Sequence, residues 1–116
     1  MPDEAAPRTL TFDVERKGST AIVHCHGRLV AGLNDLLYNQ VSGLLPDHSR
    51  IVLDLTDLTH MDSMGLGALI RVFVSAKSAG KELVLINLGP RIRQLLGMTN
   101  LLSAFTVIAE NNVIIP

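Results

Sequence analysis

The feature that most constrains this chain is an ordered succession in its middle. An apolar run, Ile51-Val52-Leu53-Asp54-Leu55, leads to the polar junction Asp62-Ser63-Met64-Gly65-Leu66-Gly67, then to a helix-patterned segment, then to Leu83-Val84-Leu85-Ile86. A short, nearly continuous apolar run suits a strand covered on both faces, so residues 51–55 should be central in a sheet. Leu66, Leu69, Phe73 and Ala76 recur at helical spacing and form a core stripe, and Ala79-Gly80 ends that helix. Strand, helix and strand within residues 51–86 predict a right-handed parallel crossover. The junction then sits where the first turn of a helix leaves its N–H groups unpaired and carries the positive end of the dipole. Carboxylate, hydroxyl and amide groups project from one point there, so function is expected at that place.

The flanks extend the same reading. Residues 1–8 hold two prolines and three charges, which suits a frayed tail, and residues 9–116 make a single domain. Leu10, Phe12 and Val14 alternate with Thr11, Asp13 and Glu15, and Lys17-Gly18-Ser19 reads as a turn into a second strand at residues 21–26, which Gly27 closes. That predicts an antiparallel hairpin. Leu33, Leu36, Leu37, Val41, Leu44 and Leu45 make the apolar side of a first helix, with Asn34 or Asp35 as its N-cap and Pro46 beyond its end. Gly89-Pro90 opens a third helix carrying Ile92, Leu95 and Leu96, with Gly97 as its stop, and residues 105–109 form a last strand. The order is β-β-α-β-α-β-α-β, an α/β chain whose mixed sheet bears helices mainly on one face. With 116 residues, 47% hydrophobic, three Phe, one Tyr and no Trp, the core must be aliphatic.

Charge and motif chemistry exclude several functions. Ten basic residues against eleven acidic ones, a net charge of -1, lack the electrostatic footprint of a nucleic-acid binder. Arg71 and Lys77 interrupt the richest apolar window, so no membrane insertion is expected. Cys25 is the only cysteine and residues 1–8 contain no apolar signal core, which points to a reducing cytoplasm. His24 and His26 share one face of a strand, but two ligands do not complete a zinc site, so they read as solvent-facing histidines and no metal is expected. Cys25 points the other way, as a small buried hydrophobe. Ser63, His60 and Asp62 lie too close in sequence for a nucleophile, base and orienter, and no G-x-S-x-G elbow is present, so the chain is not expected to be an enzyme. Gly65 and Gly67 lack the third glycine of a dinucleotide loop, since Ile70 stands there, and no Walker lysine follows; no cofactor is expected. Both glycines read instead as residues that let the loop turn and the helix start pack closely. Ser63 reads as an N-cap whose replacement by Ala would cost about 0.5 to 2 kcal/mol, or as a modification site.

These residues also carry a family resemblance. Gly27 at the end of the second strand, Asp54-Leu55-Thr56, the D-S-S/T-G-L-G signature read here as Asp62-Ser63-Met64-Gly65-Leu66-Gly67, Gly80-Lys81-Glu82-Leu83-Val84-Leu85-Ile86-Asn87, and residues 95–101 followed by Phe105 resemble the STAS domain of bacterial anti-sigma factor antagonists. The resemblance implies partner switching: the unphosphorylated antagonist binds a serine-kinase-type anti-sigma factor, and phosphorylation of the second residue of the S-S/T pair blocks binding. Met64 occupies that position and offers no hydroxyl, so the implied antagonist is constitutive unless Ser63 substitutes as the phosphorylation site. The expected partner-binding surface is formed by the loops before the first and second helices and the exposed side of the second, with Asp62, Ser63, Met64, Gly65, Arg71 and Val74 as its residues. Met64 has a second reading, as a side chain packed under the adjacent loop. The alternative function is a phosphorylation-independent STAS subunit of a membrane lipid-transport ATPase complex or a signalling scaffold. A small-molecule sensor would need a pocket near Gly65. The identity of the partner and a homodimer both stay open.

Overall fold

A computed structural model describes residues 9–90 and 92–94, together with the backbone of residues 107–108 and 114–115. The strands are β1 (Leu10–Lys17), β2 (Thr20–Leu29), β3 (Arg50–Met61), β4 (Glu82–Ile86), β5 (Val107–Ile108) and β6 (Ile114–Ile115). The helices are α1 (Asn34–Leu44), extended by a 3-10 turn at Leu45–Asp47, and α2 (Ser63–Ser78). The strands lie side by side in sequence order in one sheet. The pairs β1/β2 and β5/β6 are antiparallel, whereas β2/β3, β3/β4 and β4/β5 are parallel. The expected hairpin, the mixed sheet and the central place of residues 51–55 are therefore observed. Pro90 and residues 92–94 are helical where the third helix was expected, whereas Leu95, Leu96 and Gly97 lie outside the described residues. So do residues 1–8 and the Phe105, Thr106 and Ala109 parts of the last strand. The β6 pairing was not anticipated.

Alternation divides the sheet into two chemically distinct faces. Ala21, Val23 and Cys25 of β2 align with Ile51 and Leu53 of β3 and, through them, with Leu83 and Leu85 of β4. All are buried against Leu37, Val41 and Leu44 of α1 and Leu66, Leu69, Val72 and Ala76 of α2. Cys25 is buried as expected, and that burial pushes its thiol up to about 12, so it is inert. Two apolar expectations fail. Leu36 is an exposed residue, and Val72 rather than Phe73 sits at the centre of the α2 stripe. Phe73 is partly buried at the edge of the core, with the Lys77 ammonium 5.8 Å from its ring centre.

Both β2 and β3 run past their expected ends. Gly27 does not close β2 but lets it bend: its φ is 111°, and a Cβ there would overlap the Thr9 carbonyl, which instead accepts the Arg28 N–H at 2.9 Å. The β2/β3 register slips between His24 and His26, where two residues of β2 span three of β3, and again between Gly27 and Arg28. Beyond the first bulge the buried positions are Leu55, Leu58 and Met61, three apart instead of two. A search for period-two alternation misses them for that reason. The α1 N-cap position is Leu33, which makes no side-chain cap, so neither Asn34 nor Asp35 fills that role. At the other end of this segment His48 is buried, with Nδ1 2.9 Å from the Leu44 carbonyl oxygen.

Candidate functional site

At the carboxyl end of β3 the chain turns directly into α2, and Asp62 controls the turn. It has extended backbone angles, and its carbonyl accepts the first intrahelical bond, from the Leu66 N–H at 2.9 Å. Its carboxylate divides between two elements: Oδ1 accepts the Gly65 N–H at 2.9 Å and Oδ2 accepts the Ala31 N–H at 3.0 Å. These bonds, led by that from Ala31 and then that from Gly65, hold the Asp62 carboxyl below its usual range. One side chain thus caps α2 and ties down the loop that precedes α1. The cap is Asp62 and not Ser63. Ser63 is the first residue of α2 and is exposed.

The two glycines of the junction have different duties. A Cβ on Gly65 would overlap the carbonyl of Leu29 at the end of β2, so only glycine permits this approach of α2 to the sheet. Gly65 is buried and shapes the junction from below. A Cβ on Gly67 would meet nothing, so the expected close packing applies to Gly65 alone.

Met64 is 52% exposed and Val74 54% exposed. Gly67 and Arg71 fall between them at helical spacing and are also exposed. Met64 therefore does not pack under the adjacent loop. Arg71 is fixed on this side of α2 by α1: its Nη1 donates to Asp35 Oδ1 at 3.1 Å, and its guanidinium lies 3.8 Å from the Tyr38 ring centre. Hydrogen bonds with Ser42 and with Ser75 draw the Tyr38 phenol below its usual range. The result is a stripe from Met64 to Val74 with a braced cation between two apolar side chains.

Ser63, His60 and Asp62 do not assemble into a nucleophilic triad. Asp62 is committed to backbone amides, and His60 Nδ1 lies 3.0 Å from Thr59 Oγ1. Two of the cavities lined by described residues bear on this region. One of about 180 Å³ lies beside the end of β3, lined by Leu58, His60, Met61, Pro90 and Ile92 among others. The other, about 450 Å³, lies at the far end of α2 between Phe73, Lys77 and Lys81, away from Gly65.

On the open face of the sheet the two histidines are not merely solvated. His24 Nδ1 is 2.8 Å from Asp54 Oδ2 and its Nε2 is 2.9 Å from Glu15 Oε1. His26 has Nε2 2.9 Å from Asp13 Oδ2 and Nδ1 3.2 Å from Asp57 Oδ2. Sequence reasoning missed these carboxylates because they come from neighbouring strands, although Asp13 and Glu15 share the period-two face that the hairpin places beside His24 and His26. Among the described residues no group of three or more His, Cys, Asp or Glu side chains is arranged to hold a metal ion. Asp54 also accepts from the Thr56 N–H at 3.0 Å, the Thr56 hydroxyl at 2.6 Å and Asn87 Nδ2 at 3.0 Å. Burial alone would raise its pKa, but the bonds from Thr56, Asn87 and His24 together outweigh burial and bring it to about 2. Two motif segments distant in sequence thus meet at one carboxylate.

Residues 11–112 match the model of the STAS domain. The structure is similar to that of an anti-sigma factor antagonist from Mycobacterium paratuberculosis, with 21% identity, 88% of this chain and 87% of that chain covered, and a TM-score of 0.77. It is also similar to the Bacillus cell fate determinant SpoIIAA in its phosphorylated form, at 18% identity over 87% of this chain and 94% of that one, with a TM-score of 0.67. A sulfate transporter family protein from Wolinella succinogenes matches at 18% identity over 83% of this chain and 80% of that one, with a TM-score of 0.71. Among the described residues no helix is long and apolar enough to cross a membrane.

Proposed function

The chain belongs to the STAS domain family, and we propose that it is a non-enzymatic cytoplasmic regulator that binds a serine-kinase-type anti-sigma factor through the junction before α2 and the exposed side of that helix. The observation that carries this reading is the stripe of Met64, Arg71 and Val74, with two large apolar side chains in water and a cation braced between them. Exposed apolar side chains flanking a fixed arginine have the composition of an interface centre. Asp62 and Gly65 support the surface from beneath, by fixing the α2 N-terminus against the sheet and the loop before α1.

Met64 decides the regulation. A thioether has no hydroxyl to accept a phosphoryl group, so the surface stays permanently in its binding form and the antagonist is constitutive. Ser63 is the only hydroxyl in the junction and is exposed at the first helical position. A phosphate there would be tolerated by the helix N-terminus while adding about -1.5 to -2 charges beside the partner surface. The second reading, a phosphorylation-independent subunit of a membrane transport complex, is favoured by the same Met64 and by the likeness to the transporter family protein.

Incubation with candidate anti-sigma kinases and ATP, followed by mass spectrometry and gel filtration, tests these readings. A complex without added phosphate is the expected result. Phosphate on Ser63 would restore the switch, and absence of any complex would shift weight to the transport subunit. The Met64→Ser variant should gain phosphate from a kinase that binds it; a variant that binds and stays unmodified shows that position 64 is not the lost acceptor. The gel-filtration profile of the free chain reads whether it is a homodimer.

A further inference from the structure

We propose that His24 is a proton-operated staple of the open sheet face: as an imidazolium it donates one N–H to Glu15 of β1 and the other to Asp54 of β3, and loss of its proton releases the edge strand β1 from that tie. Both ring nitrogens lie within hydrogen-bond distance of a carboxylate oxygen, at 2.9 Å for Glu15 and 2.8 Å for Asp54. A neutral imidazole has one N–H and one lone pair, so it can satisfy only one of the two carboxylates and must turn a lone pair toward the other. Only the imidazolium satisfies both.

The two carboxylates differ in how firmly they are held, which decides the side that opens. Asp54 has a side chain 14% exposed and is fixed by Thr56 and Asn87, whereas Glu15 is 53% exposed. When His24 gives its proton to solvent, the remaining N–H stays on Nδ1 with Asp54, and the contact between Nε2 and Glu15 becomes a repulsion between lone pairs that water relieves. Strand β1 is the edge strand, paired only with β2 among the described strands, so it feels the change first. Other charged groups on this face are Asp13 of β1 and Lys17 at its end, His26 of β2, Asp57 of β3 and, at the starts of β3 and β4, Arg50 and Glu82, which pair with each other at 3.0 Å. His26 repeats the bracket with Asp13 and Asp57, but those carboxylates are 79% and 62% exposed, and water competes for them.

The bond to Glu15 first, with burial opposing and Asp54 assisting, raises His24 above the ordinary histidine value. A raised folded-state pKa gives stabilisation that is complete below the unfolded value of about 6.5 and is lost as pH rises through the higher folded value. The test is an NMR titration of the His24 ring in the full chain from about pH 5 to 9, with amide-exchange protection of β1 and β4 followed across the same range. The expected result is a midpoint above that of an unfolded histidine, lowered by Glu15→Gln and by Asp54→Asn, with β1 protection factors falling above the midpoint while those of β4 hold. If Asp54→Asn disturbs folding, Glu15→Gln at the exposed edge carries the test alone. A midpoint at or below that of an unfolded histidine, a midpoint unmoved by Glu15→Gln, or β1 protection unchanged across the titration would overturn the proposal.

Discussion

Val72 and Val74 stand two residues apart on α2, with the same side chain and opposite surroundings. Val72 is 0% exposed, packed against the covered face of the sheet among Leu69, Ala76 and the β-strand aliphatics, whereas Val74 is 54% exposed. Burying such a side chain contributes about 1.5–3 kcal/mol to folding, and the exposed one contributes almost none of that. The two sides of the helix therefore serve different ends. One side, with Gly65, Leu66, Leu69, Val72 and Ala76, holds the helix on the sheet. On the other, Met64, Gly67 and Val74 are exposed, and Arg71 reaches sideways to Asp35 and Tyr38 of α1. A helix divided in this way can change its exposed residues, Met64 among them, without endangering the fold.

Substitutions on α2 can break or sharpen this division. Leu69→Ala should be the most damaging, with a loss of about 2–5 kcal/mol in urea unfolding, because it empties a fully buried site between helix and sheet. An Asp62→Ala change should cost about 0.5–2 kcal/mol, since it removes the α2 cap, and should also raise amide exchange at Ala31, which shares the carboxylate. Because the Asp62 pKa is lowered by folding, its contribution is complete above the unfolded value of about 3.9 and is lost as pH falls through the lower folded value. Wild type should therefore lose this increment in acid while Asp62→Ala does not; parallel acid titrations of the two proteins would contradict the assignment. The smallest stability effects belong to Met64→Ala and Val74→Ala, each within about 0.5 kcal/mol, yet both should weaken the partner complex measured by gel filtration or calorimetry. Should either variant lower stability by as much as Leu69→Ala while leaving binding intact, the division of the helix is wrong.

Local pattern carried a large part of this fold. The hairpin, the central strand, the crossover through α2 and the open face of the sheet all follow from spacing and turn residues, because alternation and helical periodicity report which side of an element meets the core. Where that reading failed, two elements shared a residue or a register changed. Leu36 fits the apolar periodicity of α1 and is nevertheless exposed, since periodicity says that a side exists and not how wide its covering is. In the second half of β3 the apolar residues Leu55, Leu58 and Met61 are themselves three apart, a spacing that fits no regular strand, and the bulged pairing with β2 is what accompanies their common burial.

At the junction the sequence by itself determined a polar turn entering a helix, with short side chains able to cap it and glycines able to let it bend. Only the tertiary structure decided that Asp62 is the cap, that Gly65 alone is needed for close approach, and that Met64 faces water. Each of these outcomes depends on a group far along the chain: the Ala31 amide, the Leu29 carbonyl, or the packing of Leu66 and Leu69 that turns Met64 outward. The His24 bracket depends in the same way on Glu15 and Asp54 from two other strands. Hydrogen bonds and steric contacts act over a few ångströms of space, so a linear sequence can offer the groups but cannot say which of them will meet.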